Sequence, residues 1–200
     1  MEFREIVTGR RMCRSFAPQP LAPEGLERVL DAGRRAPAAG NTAGTHLVVL
    51  EGPEQTSRYW DVTLPAPRRE GFRWPRLLDA PVLVLPLAEP AAYVARYGEE
   101  DKARTGLGAG ENAWPTPYWT VDTAFAAMSV LLAAEDEGLG ALFFGIFNHA
   151  EALLAALGVP AGHEPIGAIA LGHPFGDDVP GRSAGRGRPA LEDYVHRGGW

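Results

Sequence analysis

The stretch that decides the fold is Trp119–Glu137, which reads WTVDTAFAAMSVLLAAEDE. Alanine, leucine and methionine dominate it, and all three favour helix. Because the segment leaves hardly any polar face, the sequence predicts a central core helix that is buried on nearly every side. Gly138-Leu139-Gly140 ends this helix, and Ala141–Phe147 is predicted to continue as a strand.

Further helices and strands alternate on both sides of this core helix. A helix is predicted from about Pro23 to Arg35, with proline in its first turn. Asn148, with Glu151 three residues later, predicts the capped start of another helix. Apolar runs bounded by Gly and Pro predict buried strands at His46–Leu50, Pro81–Leu87 and Ile166–Leu171. This alternation is typical of either an α/β or an α+β protein.

Two segments, Thr56–Arg76 and Glu99–Tyr118, show no regular period and are predicted to be irregular. The second segment combines Gly and Pro with aromatic residues, and this composition predicts a flap that covers a binding site. No change of composition separates two regions of the 200 residues, so we expect one domain over residues 1–200.

Charge and composition exclude several classes of function. The chain carries 19 basic and 25 acidic residues, a net charge of −6, without a basic stripe that would suit nucleic acid. The longest apolar-rich stretch, Val121–Ala134, is too short for a membrane span, and no apolar signal core stands at the N-terminus. We therefore expect a cytoplasmic protein. Cys13 is the single cysteine, which fits a reducing compartment, and we expect it to be an inert packed residue.

The residue patterns of common catalytic sites are missing. The sequence has no Gly-x-Ser-x-Gly motif and no Walker lysine, and its five histidines are not paired at metal-ligand spacing, so no metal is expected. No catalytic acid or base is assigned. Asp122 is either such a group or a charge that complements the start of the core helix. Any reactivity is therefore expected to come from a cofactor.

Arginines cluster near both ends of the chain. One group lies in GRRMCRSF (residues 9–16), and the other lies in a stretch without acidic residues near the C-terminus. They are Arg10, Arg11 and Arg14, then Arg182, Arg186 and Arg188. The scarcity of nearby carboxylates favours an anion site, and a planar guanidinium suits a phosphate. The alternative is a set of ordinary solvated arginines, since only one of the 19 basic residues is lysine.

Five motifs, in order along almost the whole chain, resemble the flavin-dependent nitroreductase family. They are Arg10–Phe16, Ala36–Asn41, Asp122–Met128, Gly138-Leu139-Gly140 with the aromatic strand after it, and Ile166–Pro174 followed by Arg186-Gly187-Arg188-Pro189. The chain departs from the family pattern at two places. Met12 replaces a usual serine, and Ala43-Gly44-Thr45 replaces a frequent Gln-Pro-Trp.

The resemblance implies an α+β fold, a three-layer α/β sandwich with a mainly antiparallel central sheet flanked by helices. It also implies an intertwined homodimer with FMN at the interface. The implied cofactor-binding residues are Arg10, Arg11, Met12, Arg14, Arg186 and Arg188 around the phosphate, Pro37, Ala38, Ala39 and Asn41 from the partner chain near the ring, and Phe144, Gly145 and Ile146 after the strand. A backbone N–H of Gly145 or Ile146 would face flavin N5.

The resemblance implies an FMN-dependent oxidoreductase that passes hydride from NADH or NADPH through the flavin to a small-molecule acceptor. The acceptor would be a nitroaromatic, a quinone or another planar conjugated compound. An aromatic wall for it is expected from Trp114, Tyr118, Trp119 and Phe147. Two alternatives stay open: a specialised biosynthetic flavin oxidase or dehydrogenase, and a non-catalytic protein that binds or sequesters flavin.

Overall fold

The computed structural model describes all 200 residues and contains seven α-helices and six strands. The strands are β1 (Phe16–Ala17), β2 (Thr45–Glu51), β3 (Val82–Ala88), β4 (Gly140–Phe144), β5 (Glu164–Pro165) and β6 (Ala168–Pro174). The helices are α1 (Phe3–Gly9), α2 (Pro23–Arg34), α3 (Gly52–Thr63), α4 (Pro90–Tyr97), α5 (Tyr118–Asp136), α6 (Ala150–Leu157) and α7 (Leu191–Tyr194). No helix combines the length and the apolar character that crossing a membrane requires.

The strands form one sheet in which every strand-to-strand pairing is antiparallel. Its body has the order β2, β3, β6, β4, and the two-residue strands β1 and β5 pair with the ends of β6 and β3. All seven residues of β3 are buried, which explains its continuous apolar sequence. The prediction of a mainly antiparallel sheet in a mixed α+β fold is confirmed.

Alternate residues of β3 face two different helical layers. Leu83, Leu85 and Leu87 join one core cluster, which also contains residues of α3 and α6. Val82 and Val84 join a second cluster, which contains residues of α2 and α5. Side chains alternate across a strand, so the sheet lies between two layers of helices in a three-layer sandwich.

Several predicted elements are confirmed, and the segment predicted to be irregular over residues 56–76 is corrected. The helix at Pro23, the core helix and the strands at His46 and Pro81 lie within one or two residues of their predicted bounds. The segment 56–76 is not irregular throughout, because its first part belongs to α3, where Thr56, Tyr59 and Trp60 are buried at helical spacing. Helices α1, α4 and α7 were not predicted.

The region after β4 differs from its prediction. The strand stops at Phe144, so the predicted strand through Phe147 is too long by three residues. Helix α6 begins after His149, which has a φ of 61°, and no side chain caps its start. The predicted cap at Asn148 is therefore wrong.

Helix α5 is less buried than its composition suggests. Residues such as Ala126, Val130 and Ala134 are buried against the sheet and α2. Phe125 and Met128, however, are 48% and 41% exposed on the opposite face. The prediction that this helix is buried on nearly every side is therefore wrong for the single chain.

Candidate functional site

The first arginine cluster is held at the edge of the sheet beside β4. Met12 forms an isolated parallel bridge with Ala141, and the Cys13 N–H donates to the Ala141 carbonyl at 2.9 Å. A Cβ on Gly140 would lie 2.8 Å from the Cys13 sulfur, so glycine permits this close approach. Cys13 itself is buried, and burial raises the pKa of its thiol, as expected for an unreactive cysteine.

This placement puts the first arginine cluster, together with Arg188 of the second, around one cavity of about 700 Å³, which we call the arginine cavity. Its lining includes Arg10, Arg11, Met12, Arg14 and Arg188. Arg182 and Arg186 do not line it and are exposed. No guanidinium of these arginines forms an ion pair with a carboxylate of the chain. The one acidic residue in the lining, Asp178, accepts the backbone N–H of Arg14 at 2.9 Å.

The arginines of this cavity are not equivalent. The Arg11 Nη1 group donates to the carbonyls of Thr8, Gly9 and Arg10 at 2.7 to 3.0 Å, so Arg11 caps the end of α1. Arg14 donates to the Met12 carbonyl at 3.1 Å. The Nη1 atom of Arg10 is buried and has no hydrogen-bond partner in the chain. A buried charged donor without an acceptor is unfavourable, and Arg10 is one of the residues that line the cavity.

A second cavity of about 430 Å³, the aromatic cavity, adjoins the first, and Arg14 lines both. Its walls are mostly apolar and include Tyr59, Trp60, Phe72, Trp74, Phe144 and Phe147. Gly145 and Ile146 also line it, and neither backbone N–H donates a hydrogen bond within the chain. The aromatic cavity therefore offers mostly apolar walls, and two residues with unpaired backbone N–H groups line it at the end of β4.

The loop Ala36–Asn41 lies elsewhere in the chain. Pro37 and Ala38 line a third cavity, of about 510 Å³, beside α2 and α5. Asn41 is exposed and has a φ of 54°. No residue of this loop lines the arginine cavity or the aromatic cavity. Within a single chain, the predicted phosphate residues other than Arg186 and the residues after β4 therefore line two adjoining cavities. The loop lies apart from both cavities.

Asp122 fixes the shape of this loop. Its carboxylate is 4% exposed, and Oδ2 accepts the Ala39 N–H at 2.7 Å and the Tyr93 hydroxyl at 2.9 Å. Burial, and then the bond to Asp122, raises the pKa of Tyr93. Asp122 is the fifth residue of α5, beyond the first turn where a carboxylate best complements the helix dipole. It is therefore a positioning residue for the loop, a role that the sequence left unassigned.

The expected aromatic wall is only partly formed by the predicted residues. Trp114 and Trp119 are buried in a small core with Tyr93, and the Trp114 Nε1–H donates to the Leu107 carbonyl at 3.0 Å. These two side chains hold the segment 99–118 in three short 3₁₀ turns against α4 and α5. Phe147, in contrast, is 90% exposed and lines the aromatic cavity.

Comparison with known proteins shows the class to which this fold and site belong. The sequence profile of the Nitroreductase family matches residues 7–173. The chain belongs to the nitroreductase family, as the resemblance of its motifs indicates.

The relatives are distant in sequence. A protein from Archaeoglobus fulgidus named NADH dehydrogenase/NAD(P)H nitroreductase is 24% identical over 100% of this chain and 99% of its own length. Among solved structures, a nitroreductase family protein from Clostridium difficile matches with a TM-score of 0.73 at 20% identity, covering 100% of both chains. The oxidoreductase YcnD from Bacillus subtilis gives a TM-score of 0.74 at 22% identity, covering 100% of this chain and 75% of its own. These structural matches establish the fold.

Proposed function

We propose that this protein is an FMN-dependent oxidoreductase that passes hydride from NADH or NADPH, through the flavin, to a nitroaromatic, a quinone or another planar conjugated acceptor. Family membership and the NAD(P)H nitroreductase name of the Archaeoglobus fulgidus relative support a nicotinamide donor. One observation carries the choice of cofactor. An arginine cavity with a buried, unpartnered guanidinium nitrogen opens beside an aromatic cavity that has free backbone donors.

The two cavities suit the two ends of FMN. Arg10 and Arg188 offer guanidinium groups without carboxylate partners to a phosphate, and Arg14 lies between the phosphate end and the ring end. The apolar walls of the aromatic cavity would exclude water from one side of the ring. The free N–H groups of Gly145 and Ile146 would donate to its polar edge. Bound FMN supplies the capacity to accept and release hydride, and the chain supplies binding and orientation.

A homodimer would complete this site. The loop Ala36–Asn41 lies outside both cavities of its own chain, so it reaches a flavin only in a second subunit. Phe125 and Met128 on α5 and Tyr194 and Trp200 near the C-terminus are exposed large apolar side chains. A second copy of the chain in a symmetric dimer would cover these side chains. Asp122 then holds the loop ready for the partner's cofactor. A reduced Cys13 fits a cytoplasmic location.

The spectrum of the purified protein tests the proposal directly. We expect flavin absorption bands, or their appearance after reconstitution with FMN, and a dimer by light scattering. Anaerobic NADH or NADPH should bleach the flavin, and a quinone or nitroaromatic should restore its colour. A bound flavin that neither nucleotide reduces would point to a sequestering protein. A colourless protein that cannot be reconstituted would refute the cofactor assignment.

Arginine variants test the phosphate site. Arg10→Ala and Arg188→Ala should each weaken FMN binding by about 1.5–3 kcal/mol, roughly 10- to 150-fold in Kd, because each removes a charge-assisted hydrogen bond. Arg104→Ala is the matched control, because Arg104 is exposed and lines neither cavity. Fluorescence titration of the apoprotein with FMN measures the difference. Equal affinities for all three variants would contradict the assignment of the arginine cavity.

A further inference from the structure

Three side chains that are far apart in the sequence meet at one end of the sheet. His46 lies in β2, Glu89 directly follows β3, and His163 directly precedes β5. In the strand registers, Thr45 pairs with Ala88, and Ala88 pairs with Glu164. The antiparallel ladders therefore hold the backbones of the three residues side by side. The histidines have no local ligand spacing, so the sequence predicted no metal site, but the sheet groups two of them with a carboxylate.

The donor atoms of these side chains converge. One nitrogen from each imidazole and one carboxylate oxygen all lie within 4.8 Å of one another. His46 Nε2 is 2.9 Å from the Glu89 carboxylate, and the two imidazole rings are 5.1 Å apart between centroids. The three donor atoms thus lie close enough together for one ion to contact all of them.

His163 is also held in a tautomer that suits a ligand. Its Nδ1 lies 3.1 Å from the Pro160 carbonyl, which can only accept a hydrogen bond. A proton on Nδ1 leaves the lone pair on Nε2 free. Histidines that bind metals almost always donate their other ring N–H to a carbonyl or carboxylate in this way. The contact is therefore an independent sign that His163 presents a ligand atom.

We propose that His46, Glu89 and His163 form a binding site for a divalent transition metal ion such as Zn²⁺. Two imidazoles and one carboxylate are a common ligand set for zinc, with a fourth position left for water. Zinc–ligand distances of about 2.0–2.2 Å place tetrahedral donors about 3.4 Å apart. The side chains of His46 and Glu89 are 45% and 32% exposed, so they have room for the change in donor separation, up to about 1.4 Å, that this requires.

A metal ion here would join the ends of β2 and β3 to the segment that leads into β5. The site is separate from the arginine and aromatic cavities, because none of its three residues lines either of them. His46 lines the third cavity with Pro37 and Ala38, so the zinc experiments use variants of Glu89 and His163, which line none of the three cavities. The stabilisation would appear as a melting temperature that rises with zinc concentration, because an ion that binds only the folded state shifts the folding equilibrium.

Isothermal titration of the full-length protein, freed of metal with EDTA, tests the site with ZnCl₂ as the probe. We expect one zinc ion per chain and a higher melting temperature with zinc. We expect at least tenfold weaker binding in His163→Gln and in Glu89→Gln, and a Mg²⁺ titration without comparable heat, because Mg²⁺ prefers all-oxygen ligand sets.

His196→Gln is the matched control, because His196 is an exposed histidine outside the cluster. Its zinc affinity should equal that of the unmodified protein. FMN titrations of all variants show whether each one is folded, and melting curves do so independently of the cofactor. Absence of zinc binding, or equal zinc affinity in the cluster variants and the control, would overturn the proposal.

Discussion

The hydrogen bonds of Asp122 give the sharpest test of how this fold holds its loop. Asp122→Ala removes the acceptor of both the Ala39 N–H and the Tyr93 hydroxyl, which the folded chain keeps away from water. Each buried donor that loses its acceptor costs about 1–3 kcal/mol. We therefore expect the free energy of unfolding to fall by about 2–6 kcal/mol.

Two companion variants isolate the mechanism. Asp122→Asn keeps an amide oxygen that can accept both bonds, so its loss of stability should be clearly smaller than that of Asp122→Ala. Tyr93→Phe removes only one of the two donors. Because Asp122 and Tyr93 are in direct contact, the double variant Asp122→Ala/Tyr93→Phe should show a coupling free energy of about 1–2 kcal/mol.

Urea denaturation at one fixed chain concentration is the appropriate assay, because dimerisation would make stability depend on concentration. The reasoning is refuted if Asp122→Asn and Asp122→Ala unfold at the same midpoint. It is refuted equally if Tyr93→Phe costs the same with and without the Asp122 carboxylate. Under the proposed function, Asp122→Ala should also weaken FMN binding, because the loop loses its anchor.

Three further predictions follow from the packing and the charges. Gly33→Ala should lower the free energy of unfolding, measured in urea, by about 1–3 kcal/mol, because the new Cβ would lie 2.8 Å from the Val130 side chain. Gly25→Ala in the same helix is the control. Its Cβ has its nearest contact at 3.6 Å, so this variant should be neutral or stabilising. Cys13 should react with a thiol reagent slowly in the native protein and quickly in urea, because it is buried and its pKa is raised. Hydrogen bonds from Ser15, and then from Arg76, lower the pKa of Asp177 below its ordinary value of 3.8. The ionised Asp177 should therefore hold the C-terminal segment fully at any pH above 3.8. This attachment should be lost as the pH falls through the lowered pKa. Faster pepsin cleavage beyond residue 177 in strong acid would show this loss, and Asp177→Asn should be cleaved quickly even at mildly acidic pH.

The sequence predicted the elements whose apolar residues repeat at a clear period. The core helix and the strands at His46 and Pro81 were found because each is a nearly continuous apolar run. Helix α3 was missed because arginine, proline and tryptophan in and after it obscured the helical spacing of its buried face. The capping prediction at Asn148 failed because His149 adopts a positive φ and starts α6 without a side-chain cap.

The site was predictable only where its residues are close in sequence. The run from Arg10 to Arg14 could be identified from its own composition, and the structure places it on the arginine cavity. No sequence pattern distinguishes Arg188, which lines that cavity, from Arg186, which does not. Asp122 likewise could not be assigned, because its two hydrogen-bond donors come from distant segments.

The sequence by itself determined the family, the order of the main elements and the presence of two arginine-rich segments. The family follows from the resemblance of the motifs, and the other two properties depend on local composition and periodicity, which the chain displays directly. Only the tertiary structure decided which arginine is left without a partner, which carboxylate holds the loop, and that His46, Glu89 and His163 meet. Such groupings arise from strand register and helix packing, which bring together residues that have no relation along the chain.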